Sequence, residues 1–476
     1  MRRFVPAALL PFLCLSVHAE DGDEALQKKV ADYIEESVGG QDWGKRQKLA
    51  GAIRRTPGGP AAFLKHCLER KDLEEKGWQL SSAGAVVFDI RQDEAARILK
   101  PALGAKDPQK VLFVLQIVDG TGLGAVLLDD LIALWGSRDQ SISWSAQSIL
   151  QSVKSPVVID RMIEEAGKPG ERGTKALQVL AGGQTARARV FLRALAVSET
   201  ESADRRALAM SGLAQRAGRE EIAIALAALG STEEALVDAA IHILTEARAV
   251  VDPALLRPLL KSGDWREPVL LKLLSLAGDE AAAKKCLTKA RGGQNWDKAD
   301  WYAWAGRSRV ASIGPALEKA FGEETDDGVR MGILRGMGEL GNPAAMDLIL
   351  KYLTHPEQGS AALGALAALG RTSPDCLDTL LDRLTELVGV SNTGLESFHY
   401  SFMERQNTRD RVTLIDAYIR LADRHSGRRR IREIVCSALS DLCRPDLGHS
   451  EESVEGWKAW WGAHREKLET VAPKKD

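Results

Sequence analysis

Apolar residues recur along most of this chain at three- and four-residue spacing, the mark of helices with one buried face. Two segments show the unit plainly. Residues 328–354 read GVRMGILRGMGELGNPAAMDLILKYLT. Val329, Ile333, Met337 and Leu340 fall on one helical face, and Gly341 is placed to end that helix through a positive φ. Asn342 is then a natural cap for a second helix with Pro343 in its first turn, and Met346, Ile349 and Leu353 continue the apolar face. Residues 359–385 read GSAALGALAALGRTSPDCLDTLLDRLT and repeat the plan, with Leu363, Leu366 and Leu369 before Gly370 and Ser373-Pro374 opening the partner helix. Each segment predicts a helical hairpin with more apolar surface than one hairpin can bury alone.

The same punctuation runs upstream. Stop glycines are expected at Gly120, Gly182, Gly218, Gly278, Gly306, Gly341 and Gly370. Turns near Val153 and Arg248 lack a glycine but keep a cap-plus-proline pair, Ser155-Pro156 and Asp252-Pro253. A period of about thirty residues with two helices in each predicts an all-α, right-handed α-solenoid of about nine to ten repeats with atypical caps. Alternating β-branched runs do not recur. On these residues the units resemble HEAT repeats of the short bacterial kind, more than tetratricopeptide or ankyrin repeats, whose marker residues are missing. The terminus, residues 438–461 (ALSDLCRPDLGHSEESVEGWKAWW), resembles that of secreted HEAT-repeat proteins. The resemblance covers roughly residues 96–390, and it implies macromolecular binding as the family's common denominator.

The flanks depart from the period. Arg2-Arg3, the apolar run Phe4–Val17 and the small-residue step Val17-His18-Ala19 predict a cleavable signal peptide over residues 1–19, and so export to the periplasm or beyond. Residues 20–95 are expected to form a helical N-terminal cap and residues 96–390 the solenoid. Residues 391–409 are expected to be a loop insertion. Residues 410–476 should hold a last repeat and a Trp-rich cap, with Trp457, Trp460 and Trp461 sealing it. No second long apolar run predicts a membrane span.

Composition narrows the function classes. The chain has 476 residues and a formal net charge of −2, with 45% apolar and 27% charged residues. That excludes a disordered or collagen-like chain and gives no bulk attraction for a polyanion such as nucleic acid. Beyond residue 19 the cysteines are Cys67, Cys286, Cys376, Cys436 and Cys443. Their number is odd and their spacing unpatterned, so each is expected to be a small buried apolar residue. Cys436, Cys443 and His449 match no common zinc spacing, and no metal is expected. The stretch Gly120 to Ala125 satisfies a loose Gly-x-Gly-x-x-Ala fingerprint. Without a βαβ rhythm it is expected to be a turn, and no cofactor is called for. No signature of a hydrolase or metalloenzyme is present, so a non-catalytic role is expected.

Three places could carry a partner. Trp296, Trp301, Tyr302 and Trp304 could grip a peptide or, beside Asp297 and Asp300, stack on a sugar; equally, they could fill the core between repeats. The insertion holds Phe398, His399, Tyr400 and Phe402, which could bind or fold back. Arg428, Arg429 and Arg430 head the most basic stretch and could meet an acidic protein or an anionic glycan. A protein partner is expected first and a glycan second. Nucleic acid would follow only if residues 1–19 were not an export signal.

Overall fold

The computed structural model describes residues 17–39, 42–70, 86–87, 90–355, 358–387, 398–399, 401–402, 408–447 and 449–471. All regular elements among them are helical. The chain forms two compact units, Met1–Ile243 and Leu244–Asp476.

The first unit opens with α1 (Val17–Gly39), α2 (Trp43–Arg55), α3 (Gly59–Glu69) and α4 (Gln92–Leu103). It continues through α5 (Pro108–Thr121), α6 (Leu128–Ala133), α7 (Gln140–Ser152), α8 (Pro156–Ala166), α9 (Glu171–Gly183), α10 (Ala186–Ala196), α11 (Ala203–Leu213) and α12 (Arg219–Ala228) into α13 (Glu234–Glu246). The second unit holds α14 (Pro253–Leu256), α15 (Glu267–Leu276), α16 (Glu280–Gly292), α17 (Asn295–Arg307), α18 (Gly314–Glu323), α19 (Asp327–Leu340) and α20 (Met346–Leu350). After these come α21 (Gly359–Thr372), α22 (Leu377–Leu387), α23 (Thr408–Arg424), α24 (Arg429–Leu447) and α25 (Val454–Val471). From α5 to α22 the order of helices gives nine successive pairs among the described residues, the expected α-solenoid of HEAT-like hairpins. The cut expected after Ala19 falls in the first turn of α1, and residues 1–16 lie outside the described residues. No described helix is long and apolar enough to cross a membrane.

The caps follow the sequence closely. Asp107, Asp139, Thr185, Asp252, Asp279, Asp326 and Asn342 each accept a hydrogen bond from a backbone N–H in the first turn of their helix. The stops are partly different from expectation. Arg248, Gly278, Arg309 and Gly341 carry positive φ (48°, 84°, 55° and 78°), spaced 30, 31 and 32 residues apart. Gly278 and Gly341 are therefore the stops foreseen. Gly306 and Gly370 lie inside α17 and α21, and Gly182 lies inside α9, where Gln184 takes the left-handed cap. Gly120 lies inside α5, and Gly122 turns the chain at φ 71°. Gly218 is an N-cap, of α12. The Gly120–Ala125 segment is thus a helix end followed by a short 3-10 turn, in keeping with the turn reading.

Within each unit the repeats are tied by bonds of about one period. Gln184 Nε2 donates to the Gly212 carbonyl at 2.7 Å in the first unit. In the second, Ser275 Oγ donates to the Trp304 carbonyl at 2.8 Å. The N-terminal helices bury Ile34, Ile53, Phe63 and Leu64, and in α25 Trp457 and Trp461 are buried while Trp460 is half-buried. Cys67, Cys286, Cys436 and Cys443 are buried free thiols, and Cys376 is half-buried. Burial pushes the thiols of Cys67, Cys286 and Cys443 up to about 12, which leaves them unreactive near neutral pH.

Candidate binding groove

The second unit packs three successive first helices, α17, α19 and α21, unusually close together. Sequence explains it: small residues replace the apolar knobs on the facing sides. A Cβ on Gly306, Gly332, Gly336 or Gly338 would lie under 3 Å from backbone atoms of the neighbouring helix, at Gly336, Ala299, Tyr302 and Ala365 respectively. Only glycine permits that approach. On the open side, a cavity of about 720 Å³ runs across the three helices. Its floor includes Ala303, Gly332, Gly364 and Ala368, and its rim carries Asp300, Arg335, Glu339 and Arg371.

The rim charges are held in place. Lys272 Nζ donates to Asp300 Oδ2 at 2.5 Å. Arg307 Nε donates to Glu339 Oε1 at 3.4 Å, and both residues are buried. Burial pushes the Arg307 guanidinium down to about 10 while the Glu339 carboxylate opposes that fall, so Arg307 stays charged at neutral pH. Arg371 donates to the carbonyls of Ser401 (2.6 Å) and Phe402 (3.0 Å), fixing the end of the groove.

Gly364 is the odd residue on this floor. It sits in the middle of α21, and nothing lies within 4 Å of the place a Cβ would occupy. A mid-helix glycine costs about 1 kcal/mol relative to alanine. Packing accounts for Gly332, Gly336 and Gly338 but not for Gly364, which opens straight into the groove.

Of the residues singled out from sequence as partner-binding candidates, Asp300 alone lines this groove. Trp301 and Trp304 are only 4% and 6% exposed, with Tyr302 at 5%. They cannot serve as a solvent-facing platform, because they fill the repeat core beneath the groove. Lys272 lies 4.9 Å from the Trp301 ring centroid and Arg307 4.4 Å from that of Trp304. The sugar platform of Trp301 beside Asp297 and Asp300 is corrected with them. The Trp296 side chain and Tyr400 lie outside the described residues. His399 is buried at 5% exposure between Phe398 and Phe402, both fully buried, so the described part of the insertion folds back rather than reaching out. Arg428, Arg429 and Arg430 are exposed at the start of α24, away from the groove, with Arg429 donating to Glu433 at 2.7 Å. The groove was signalled in the sequence by Gly328, Gly332 and Gly336, four residues apart on one helical face.

No family model matches the chain, and no curated protein matches it. Among solved structures, a crystal structure of Kap121p is similar at 12% identity over 90% of this chain and 54% of its own, with a TM-score of 0.33. Kap95p with RanGDP is similar at 10% identity over 88% and 61%, with a TM-score of 0.32. Importin beta is similar at 10% identity over 95% and 71%, with a TM-score of 0.38. The chain spans about half the length of the Kap121p structure. The α-solenoid assignment stands on this chain's own repeat geometry.

Proposed function

We propose that this chain is an exported, non-catalytic scaffold that docks a segment of another protein across the groove of α17, α19 and α21. The supporting observation is Gly364, a helix-weakening residue that no internal contact requires, set in the floor of an open groove. Such a position suits a partner backbone lying directly on the helix. The rim offers the exposed Asp300 carboxylate and the half-buried Arg335 and Arg371 guanidinium groups, and this mixed polarity suits a polypeptide of both charge signs better than a polyanion.

The test places a photoreactive amino acid at the rim residue Ser360, with Lys319 on the other layer as control, in cells that make the protein. The expected result is one discrete protein adduct from position 360, none from 319, and loss of the adduct in Gly364→Leu with a melting temperature no lower than the parent's. An adduct insensitive to Gly364→Leu, or none at all, overturns the groove. Export is tested separately by sequencing the N-terminus of the mature protein. A start at Glu20 is expected, and a retained Met1 overturns it.

A further inference from the structure

A second cavity, of about 890 Å³, lies in the first unit between α7 and α9. Its chemistry differs from that of the groove. Trp144 lines it and is 72% exposed, the most exposed of the described tryptophans whose burial is known. An exposed ring of this size leaves much apolar surface in water unless a ligand covers it. Trp135 lines the same cavity but is only 5% exposed and adds no second open ring. Trp144 thus gives the cavity one bare aromatic plane.

The remaining wall is polar and partly fixed. Lys175 Nζ donates to the Trp135 carbonyl at 2.7 Å and to Ser143 Oγ at 3.1 Å, and it pairs with Glu171 Oε1 at 3.0 Å. These contacts make it a strut rather than a free cation. Glu171 keeps an exposed second oxygen as acceptor, and Arg138 stands exposed at the mouth. A flat apolar face opposed by a ring of hydroxyl, carboxylate and guanidinium groups matches one ligand class. A pyranose ring has a flat C–H face and an equatorial belt of hydroxyls.

We infer that the cavity between α7 and α9 is a saccharide-binding site, with Trp144 as the stacking platform and the exposed Glu171 and Arg138 at its edge as hydrogen-bonding partners for sugar hydroxyls. The site lies wholly in the first unit and does not rest on the groove of the second.

The experiment is affinity electrophoresis of the full chain in gels holding xylan, hydroxyethylcellulose, glycol chitin or dextran. Retardation by at least one polymer is expected. Trp144→Ala should weaken it tenfold or more, whereas Trp265→Ala, an equally exposed ring elsewhere, should leave it unchanged. Because Trp144 is solvent-facing, its loss leaves the fold intact, and an unaltered melting temperature checks this. The retarding polymer's trisaccharide should also shift the Trp144 indole N–H resonance. No retardation by any of the four polymers, equal retardation of Trp144→Ala, or a Trp144-dependent capture of peptides in place of sugars overturns the inference.

Discussion

At the scale of single residues, glycine does two opposite jobs on adjacent helices. Gly332 is in α19 because its neighbour's backbone at Ala299 leaves no room for a methyl group. Gly364 is in α21 with free space above it. Gly332→Ala is therefore expected to destabilise the second unit by about 1–3 kcal/mol, the cost of overpacking a tight contact. Gly364→Ala should stabilise it by roughly 0.5–1 kcal/mol through helix propensity alone, while impairing partner docking. Urea denaturation midpoints of the two variants read the signs directly. Two shifts of the same sign would remove the distinction on which the groove depends. The aromatic residues make the complementary point. Trp301 and Trp304 could be placed on one helical face from their spacing, but not on the inside, because α17 also carries small residues on its other side. Which side meets the next repeat is decided thirty residues away.

At the scale of the element, the hairpin was legible because its signals are local. Caps such as Asp326 and Asn342 act within three residues of themselves, and positive-φ glycines such as Gly278 and Gly341 act at their own position. What stayed hidden was the difference between a glycine that ends a helix and one that admits a neighbour, as at Gly306. The real stop there is Arg309, held at φ 55° by the geometry of the turn. A side chain in that region pays for its Cβ, by about 1 kcal/mol. Arg309→Gly is accordingly expected to raise stability by up to about 1 kcal/mol, and Gly278→Ala, at φ 84° where a Cβ would make an ordinary contact with the Ser308 carbonyl at 3.8 Å, to lower it by a similar amount. Thermal melts of both variants against the parent check the pair. A loss on Arg309→Gly would mean that the arginine side chain holds the turn, and not the backbone alone.

At the scale of the whole molecule, a net charge near zero conceals buried charges that set its response to acid. In the first unit, Glu165 is fully buried and accepts from Arg172 at 2.6 Å and Lys168 at 2.8 Å. Glu221 is buried and accepts from the Gly218 N–H at 2.8 Å and from Arg193 at 2.6 Å. Burial alone would raise both carboxyls, but these donors outweigh it and hold them below the usual value. Their contribution is present above the ordinary carboxylate range and is lost as pH falls through the depressed values. His399, in the second unit, behaves differently. Burial pushes its imidazole down to about 4, with Arg411 acting in the same direction and Asp441 against it. The unfolded chain therefore binds this proton first, from its ordinary value of 6.5 downward, and stability falls between about pH 6.5 and 4. A gap of that size corresponds to a loss on the order of 3 kcal/mol. Acidification should thus weaken the second unit before the carboxylates of the first begin to protonate. His399→Asn cannot titrate, so it should flatten the stability curve between pH 6.5 and 4 while leaving the steeper loss below about 4.5 in place. Melting temperatures across that range, read for parent and variant, decide it. An unchanged slope above pH 4.5 in the variant would show that another group takes up the proton, and that the buried insertion at His399 does not govern the molecule's first response to acid.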